Sequence, residues 1–261
     1  MCIGLDPDPK RIPKHLGEGP EAIFRFCAEI VEATADNACA FKPNIAFFES
    51  LGVEGWHVLK QVLEIIPSEV PVIIDAKRSD IDSTGKHYAQ SLFDGLKADA
   101  ITVNPYMGHD SIEPFLEYCN RGIYILVLTS NKGCRDFQLD QDFYLKVARK
   151  AKIWNKHGNI GIVVGATKPQ FLSSILAVAP DIPMLIPGLG AQGGDLDGLM
   201  SITAKLPLHH VLLNVSRSII YATTDKDFSR QARIASRYYA DQIQYAREKQ
   251  WDTKNTSDIP I

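Results

Sequence analysis

A chain of 261 residues, 45% hydrophobic and 23% charged, can bury a sizeable core as one large domain or two small ones. Its 28 basic and 31 acidic residues leave a net charge of −3 with no basic stripe, which argues against a dedicated nucleic-acid binder. No segment reads as a signal peptide or a membrane span, and five cysteines without a CxxC pair (Cys2, Cys27, Cys39, Cys119 and Cys134) suggest reduced, mostly buried thiols in a cytoplasmic protein and no zinc site.

Apolar runs predict strands at Cys2–Leu5, Ala38–Phe41, Val70–Ile74, Ala100–Val103, Ile123–Leu128, Ile160–Val164, Met184–Ile186 and Val211–Val215. Helical periodicity follows each in turn, over Glu21–Asp36, Phe47–Ile66, Ser83–Leu96, Ile112–Asn120, Gln141–Lys156, Pro169–Val178, Leu196–Lys205 and Phe228–Glu248. Strands alternating with helices imply a parallel sheet with right-handed crossovers, and eight repeats in this length suit a single-domain (β/α)₈ TIM barrel over residues 1–250. A doubly wound open sheet is the alternative, but no glycine-rich dinucleotide fingerprint follows the first strand. The polar segment 251–261 reads as a tail.

In a barrel the functional groups belong at the C-terminal ends of the strands. The eight predicted strands run in order into Asp6; Lys42-Pro43-Asn44; Asp75 and Lys77; Asn104; Thr129-Ser130-Asn131; Gly165; Pro187 to Gly194; and Ser216-Arg217. Asp75 and Lys77, at i and i+2, point to one face of the third strand, with Asp80 just beyond. A structural salt bridge would explain such a cluster, and so would an active site. Lys42 either snorkels to solvent or faces the barrel mouth to meet Asp75. Together Lys42, Asp75, Lys77 and Asp80 form alternating charges that can be fixed before a substrate arrives. Neighbouring carboxylates favour a protonated Lys77, a proton donor and not a Schiff-base nucleophile.

The seventh loop carries Gly188, Gly190, Gly193 and Gly194, and glycines let backbone amides approach an anion. With Arg217 opening the eighth loop, this pattern suits phosphate, although a flexible surface loop with an unrelated arginine has the same composition. Asp6 suits sugar hydroxyls or a turn, and Thr129-Ser130 suits a heterocycle or a helix cap.

These motifs resemble the orotidine 5′-phosphate decarboxylase family. The DxKxxDI element is Asp75-Ala76-Lys77-Arg78-Ser79-Asp80-Ile81, followed by Thr84, and the upstream lysine stands in Phe41-Lys42-Pro43-Asn44. Gly4-Leu5-Asp6-Pro7-Asp8, the Thr129-Ser130-Asn131 element, the glycine-rich loop and Ser216-Arg217 complete the ordered set, which is similar to the branch called type 2. The resemblance implies cofactor-free and metal-free decarboxylation of orotidine 5′-monophosphate to uridine 5′-monophosphate, the last step of de novo pyrimidine synthesis. It implies Lys42, Asp75, Lys77 and Asp80 as the catalytic network, with Lys77 giving a proton to C6. Asp6 and Lys42 would contact the ribose, Ser130 the base, and Gln192 and Arg217 the phosphate. Asp80 and Thr84 would reach into the neighbouring site of a homodimer. Family members carry a helical segment before the first strand, so a chain opening on Met1-Cys2-Ile3 is expected to have a less capped barrel floor. Two alternatives remain: a metal-dependent sugar-phosphate decarboxylase sharing DxKxxD, and a phosphate-ligand-binding barrel without chemistry.

Overall fold

The computed structural model describes residues 1–190, 193–204 and 206–255. Eight parallel strands are present: β1 (Cys2–Leu5), β2 (Ala40–Pro43), β3 (Ile73–Arg78), β4 (Ala100–Val103), β5 (Gly122–Leu128), β6 (Ile160–Val164), β7 (Met184–Pro187) and β8 (Val211–Val215). They pair in the order β2-β1-β8-β7-β6-β5-β4-β3, and the parallel bridges Phe41↔Val72 and Asn44↔Asp75 bring the two edges together into a nearly closed barrel. The expected fold is therefore the one observed.

Alternation along the strands sorts side chains into two populations. Ile3, Phe41, Ile74, Ile101, Ile123, Ile125 and Ile162 face outward into a large cluster shared with the helices. Cys2, Ala40, Ile73, Ala100, Val163 and Leu185 form a separate small cluster, with Tyr124, Leu126 and Leu212 against it, filling the barrel interior. Gly161 makes room for one of these, since a Cβ there would lie 2.5 Å from the Tyr124 ring. Two residues beyond this layer, with the same parity, stand Lys42 after Ala40, Asp75 after Ile73, Thr102 after Ala100 and Asn214 after Leu212. The polar layer thus inherits its inward direction from the apolar layer beneath it.

Several boundaries differ from the sequence reading. β2 and β3 run further towards the site than expected, because Lys42, Asp75 and Lys77 satisfy one another and stay in the strands. The helix expected over Phe47–Ile66 is two, Ile45–Glu49 and Val53–Ile65, separated at Gly52, where φ is +68°. Ile112–Asn120 shortens to the single turn Glu113–Leu116, and Ser83–Leu96 becomes Asp82–Gln90 followed by a π-turn at Ser91–Gly95. The last helix, Phe228–Asn255, continues into the expected tail. A short helix, Arg217–Ile220, follows β8 without any expectation from periodicity.

Cys2, Cys27 and Cys134 are buried, Cys39 and Cys119 exposed, and all five are free thiols. Among the described residues no helix is long and apolar enough to cross a membrane, and no three His, Cys, Asp or Glu side chains cluster as metal ligands.

Candidate active site

Two cavities sit at opposite ends of the barrel. The larger, about 990 Å³, lies at the N-terminal ends of the strands among Met1, Cys39, Tyr124, Leu212 and Ile243 and is predominantly apolar. The smaller, about 400 Å³, lies at the C-terminal ends and gathers the charges. Chemistry, not volume, marks the second as the candidate site.

Its lining includes Asp6, Lys42, Asn44, Asp75, Lys77, Thr129, Ser130, Asn131, Gly188, Ser216 and Arg217, residues from six of the eight predicted strand ends. Asn104 and Gly165 are not among them. Asn104 accepts the Tyr106 amide in a turn, and Gly165 lets the Ser130 backbone approach, since a Cβ there would lie 2.7 Å from the Ser130 nitrogen. Thr129 is held by Asn131 at 2.6 Å and by Gln138, which also accepts its amide at 2.7 Å. That bonding keeps loop five beside the cavity.

Asp75 is the hub. Lys42 donates to its Oδ2 at 2.7 Å, Lys77 is ion-paired to its Oδ1, and Thr102 donates to Oδ1 at 2.9 Å. Lys42 is 4% exposed and Asp75 9%, whereas the Lys77 side chain is 48% exposed. Burial alone would push Lys42 towards its neutral form, but Asp75 and then Asp6 overcome this and hold its pKa above the ordinary lysine value. Burial would likewise raise the Asp75 carboxyl; Lys42 and then Lys77 more than offset it, and its pKa falls well below the usual carboxylate range. The lysine that snorkels in one reading is in fact turned inward onto Asp75.

Asp6 accepts from the Ser216 hydroxyl at 2.5 Å, and the Tyr221 hydroxyl donates to the Asp6 carbonyl at 2.9 Å. Asp6 Oδ1 and Asn214 Oδ1 are buried oxygens with no hydrogen-bond partner among the described residues. Gly188 lines the cavity, whereas Gly190 and Gly193 are not among its lining residues; the three have φ of +108°, +77° and +72°, the conformations for which glycine is suited. Gly194 donates to the Gly188 carbonyl at 3.1 Å and Gly193 to that of Gly190 at 2.7 Å, folding the loop back on itself. Gln192 lies outside the described residues. Arg217 is exposed at the first turn of its short helix, beside this loop in the cavity wall.

Asp80 and Thr84 are not brought to this cavity within the one chain. Asp80 Oδ1 accepts the Ile81 amide at 2.8 Å, and Thr84 is exposed on the helix Asp82–Gln90. Sequence reading also passed over Thr102 and Asn214, which line the cavity. Each is a lone polar residue in an apolar strand, and its parity with Lys42 and Asp75 is the signal that could have found it.

Residues 1–232 match the orotidine 5′-phosphate decarboxylase / HUMPS family. A relative named orotidine 5′-phosphate decarboxylase, from Roseiflexus sp. (strain RS-1), is 46% identical over 252 residues, covering 94% of this chain and 92% of that protein. Another of the same name, from Azoarcus sp. (strain BH72), is 46% identical over 251 residues, covering 93% and 92%. Among solved structures, OMP decarboxylase of Leishmania donovani superposes with a TM-score of 0.83 at 37% identity, covering 94% of this chain and 92% of that one.

Proposed function

The chain belongs to the orotidine 5′-phosphate decarboxylase / HUMPS family and is an orotidine 5′-phosphate decarboxylase, a carboxy-lyase; from that premise we propose how its side chains divide the reaction. The observation that carries the proposal is the Lys42–Asp75–Lys77 array, two cations on one buried carboxylate at the base of the cavity.

Orotidine 5′-monophosphate binds with its phosphate against the Gly188–Gly194 loop, where Gln192 and Arg217 hold it. Asp6 and Lys42 take the ribose hydroxyls, and the unpartnered Asp6 Oδ1 supports this as an acceptor awaiting a donor. Ser130 contacts the pyrimidine. The C6–carboxylate bond breaks, carbon dioxide leaves, and the electron pair stays on C6. Lys77 transfers an ammonium proton to C6, giving uridine 5′-monophosphate, and regains a proton from solvent. No cofactor or metal enters this scheme.

Asp75 is already compensated by three donors, which favours stabilisation of the developing carbanion by fixed cations over repulsion of the substrate carboxylate. Binding energy from the distant phosphate helps to organise the loop over this centre. Asp80 and Thr84 complete the neighbouring site of a homodimer, a role supported by their position off their own cavity. The enzyme works in the cytoplasm, in the last step of de novo pyrimidine synthesis.

Lys77→Ala tests the scheme. It is expected to lose decarboxylation by orders of magnitude while still binding uridine 5′-monophosphate; near-wild-type turnover would remove Lys77 from the proton-donor role.

A further inference from the structure

We infer that Thr102 is a positioning residue for decarboxylation, fixing both the backbone and the head group of Lys77; the inference rests on the proton-donor role proposed for Lys77 above. The strand that carries Lys77 is not regular. Pairing between β3 and β4 runs Ile73↔Ala100 and Ile74↔Ile101, then resumes only at Arg78↔Val103. Four steps along β3 therefore oppose two along β4. Such an irregularity re-aims side chains and takes backbone groups out of the ladder. Within it, just before pairing resumes at Arg78, Lys77 has φ of +49°, in the left-handed region that residues with a Cβ avoid.

Thr102 takes up the amide that the irregularity releases. Lys77 N–H donates to Thr102 Oγ1 at 3.0 Å, and Thr102 Oγ1 donates to Asp75 Oδ1 at 2.9 Å. That same carboxylate oxygen is ion-paired to the Lys77 ammonium. A hydroxyl has one proton, so donating to the carboxylate fixes which way the O–H points and leaves a lone pair to accept the amide. The result is a closed circuit in which one hydroxyl ties the Lys77 backbone to the anion that holds the Lys77 head group. Thr102 is 2% exposed, so its bond to Asp75 is buried, and its branched Cβ restricts the hydroxyl to few orientations.

Valine would keep nearly the same shape and remove both bonds. The part-buried Lys77 amide would lose its acceptor, and the backbone would be released from the conformation that aims the ammonium. A displaced proton donor lowers the rate of the chemical step without weakening ground-state binding.

The experiment compares wild type, Lys77→Ala, Thr102→Val and Thr102→Ser by kcat and KM for orotidine 5′-monophosphate and by Kd for uridine 5′-monophosphate. Thr102→Val should lower kcat by about 100-fold, with KM and Kd within about 3-fold of wild type. Thr102→Ser, which keeps the hydroxyl, should restore kcat to within about 3-fold of wild type. A loss carried by KM, equal losses in Val and Ser, or a Val variant with unchanged kcat would each overturn the inference. Should Thr102→Val fail to fold, Thr102→Ala carries the same expectations. Failure of the underlying reading looks different: an inert wild type or an active Lys77→Ala would remove the role of Lys77 itself. An active wild type with a dead Lys77→Ala and an unaffected Thr102→Val would remove only Thr102.

Discussion

Replacing Asp75 by Asn isolates the term that holds the charged centre together. The substitution keeps the shape and leaves Lys42, 4% exposed, without the anion 2.7 Å away. Removing one partner of a buried pair costs about 3–5 kcal/mol, because the other charge stays behind uncompensated. At about 2–4 °C per kcal/mol for a protein of this size, Tm should fall by about 6–20 °C. Lys77 adds little to that loss, since its half-exposed ammonium is rehydrated.

The pH dependence carries a distinct signature. In the wild type the lowered Asp75 pKa gives stability that is complete above the ordinary carboxylate value, ~3.9, and is lost as pH falls below it. The raised Lys42 pKa gives stability that is complete below the ordinary lysine value, ~10.4, and is lost as pH rises through its folded value. Between those limits the pair's contribution is constant. In the Asn variant burial dominates at Lys42, its folded pKa drops below the unfolded one, and stability climbs with pH up to the lysine range. Thermal melts at pH 6 and pH 9 should therefore show a gap between the two proteins that narrows at the higher pH. The double variant Lys42→Met/Asp75→Leu, which leaves no lone charge from this pair, should melt above Asp75→Asn. A single variant as stable as wild type at pH 7, or a gap that ignores pH, would refute this account of the centre.

Three further outcomes are expected. Arg217→Ala removes a charge-assisted phosphate contact, so kcat/KM should fall by about 2–5 kcal/mol, or roughly 30- to 5,000-fold; unchanged efficiency would take Arg217 out of the phosphate site. Mixing inactive Asp80→Ala and Lys77→Ala proteins should recover up to about a quarter of wild-type activity, because half of the dimers are hybrids with one intact site. No recovery despite demonstrated subunit exchange would place Asp80 in its own chain's site. Gly190→Ala forces a side chain onto a φ of +77° and against the Ser218 hydroxyl and Tyr239, so it should cost about 1–3 kcal/mol in urea unfolding and weaken phosphate capture. A variant matching wild type in both would show the loop to be adaptable.

The order of strands and the polar residues that follow them were legible because period-two alternation and short apolar runs are local signals. The pairing of Lys42 with Asp75 was one of two readings open in the sequence; the inward apolar residue at i−2 of each, Ala40 and Ile73, is the physical signal that favours it. The same offset marks Thr102 and Asn214, yet a single Thr or Asn in an apolar strand reads as ordinary core, and only barrel closure brings them to one layer. The break between Ile45–Glu49 and Val53–Ile65 was hidden because apolar periodicity runs through it, while the left-handed Gly52 decides the geometry. Asp80 was singled out by its charge just beyond Asp75 and Lys77, and Thr84 through the family motif alone; one chain gives neither a place in its own cavity. The left-handed Lys77 was not legible either, because nothing in Asp-Ala-Lys-Arg announces an irregular strand.

Protein side chains alone are expected to carry the decarboxylation of orotidine 5′-monophosphate. The most direct measurement follows the loss of substrate absorbance with purified protein in excess EDTA. Rapid turnover, unchanged when the chelator is omitted, is the predicted result. A folded protein that converts no substrate, or one whose turnover collapses with chelator and returns with a divalent metal, would contradict it.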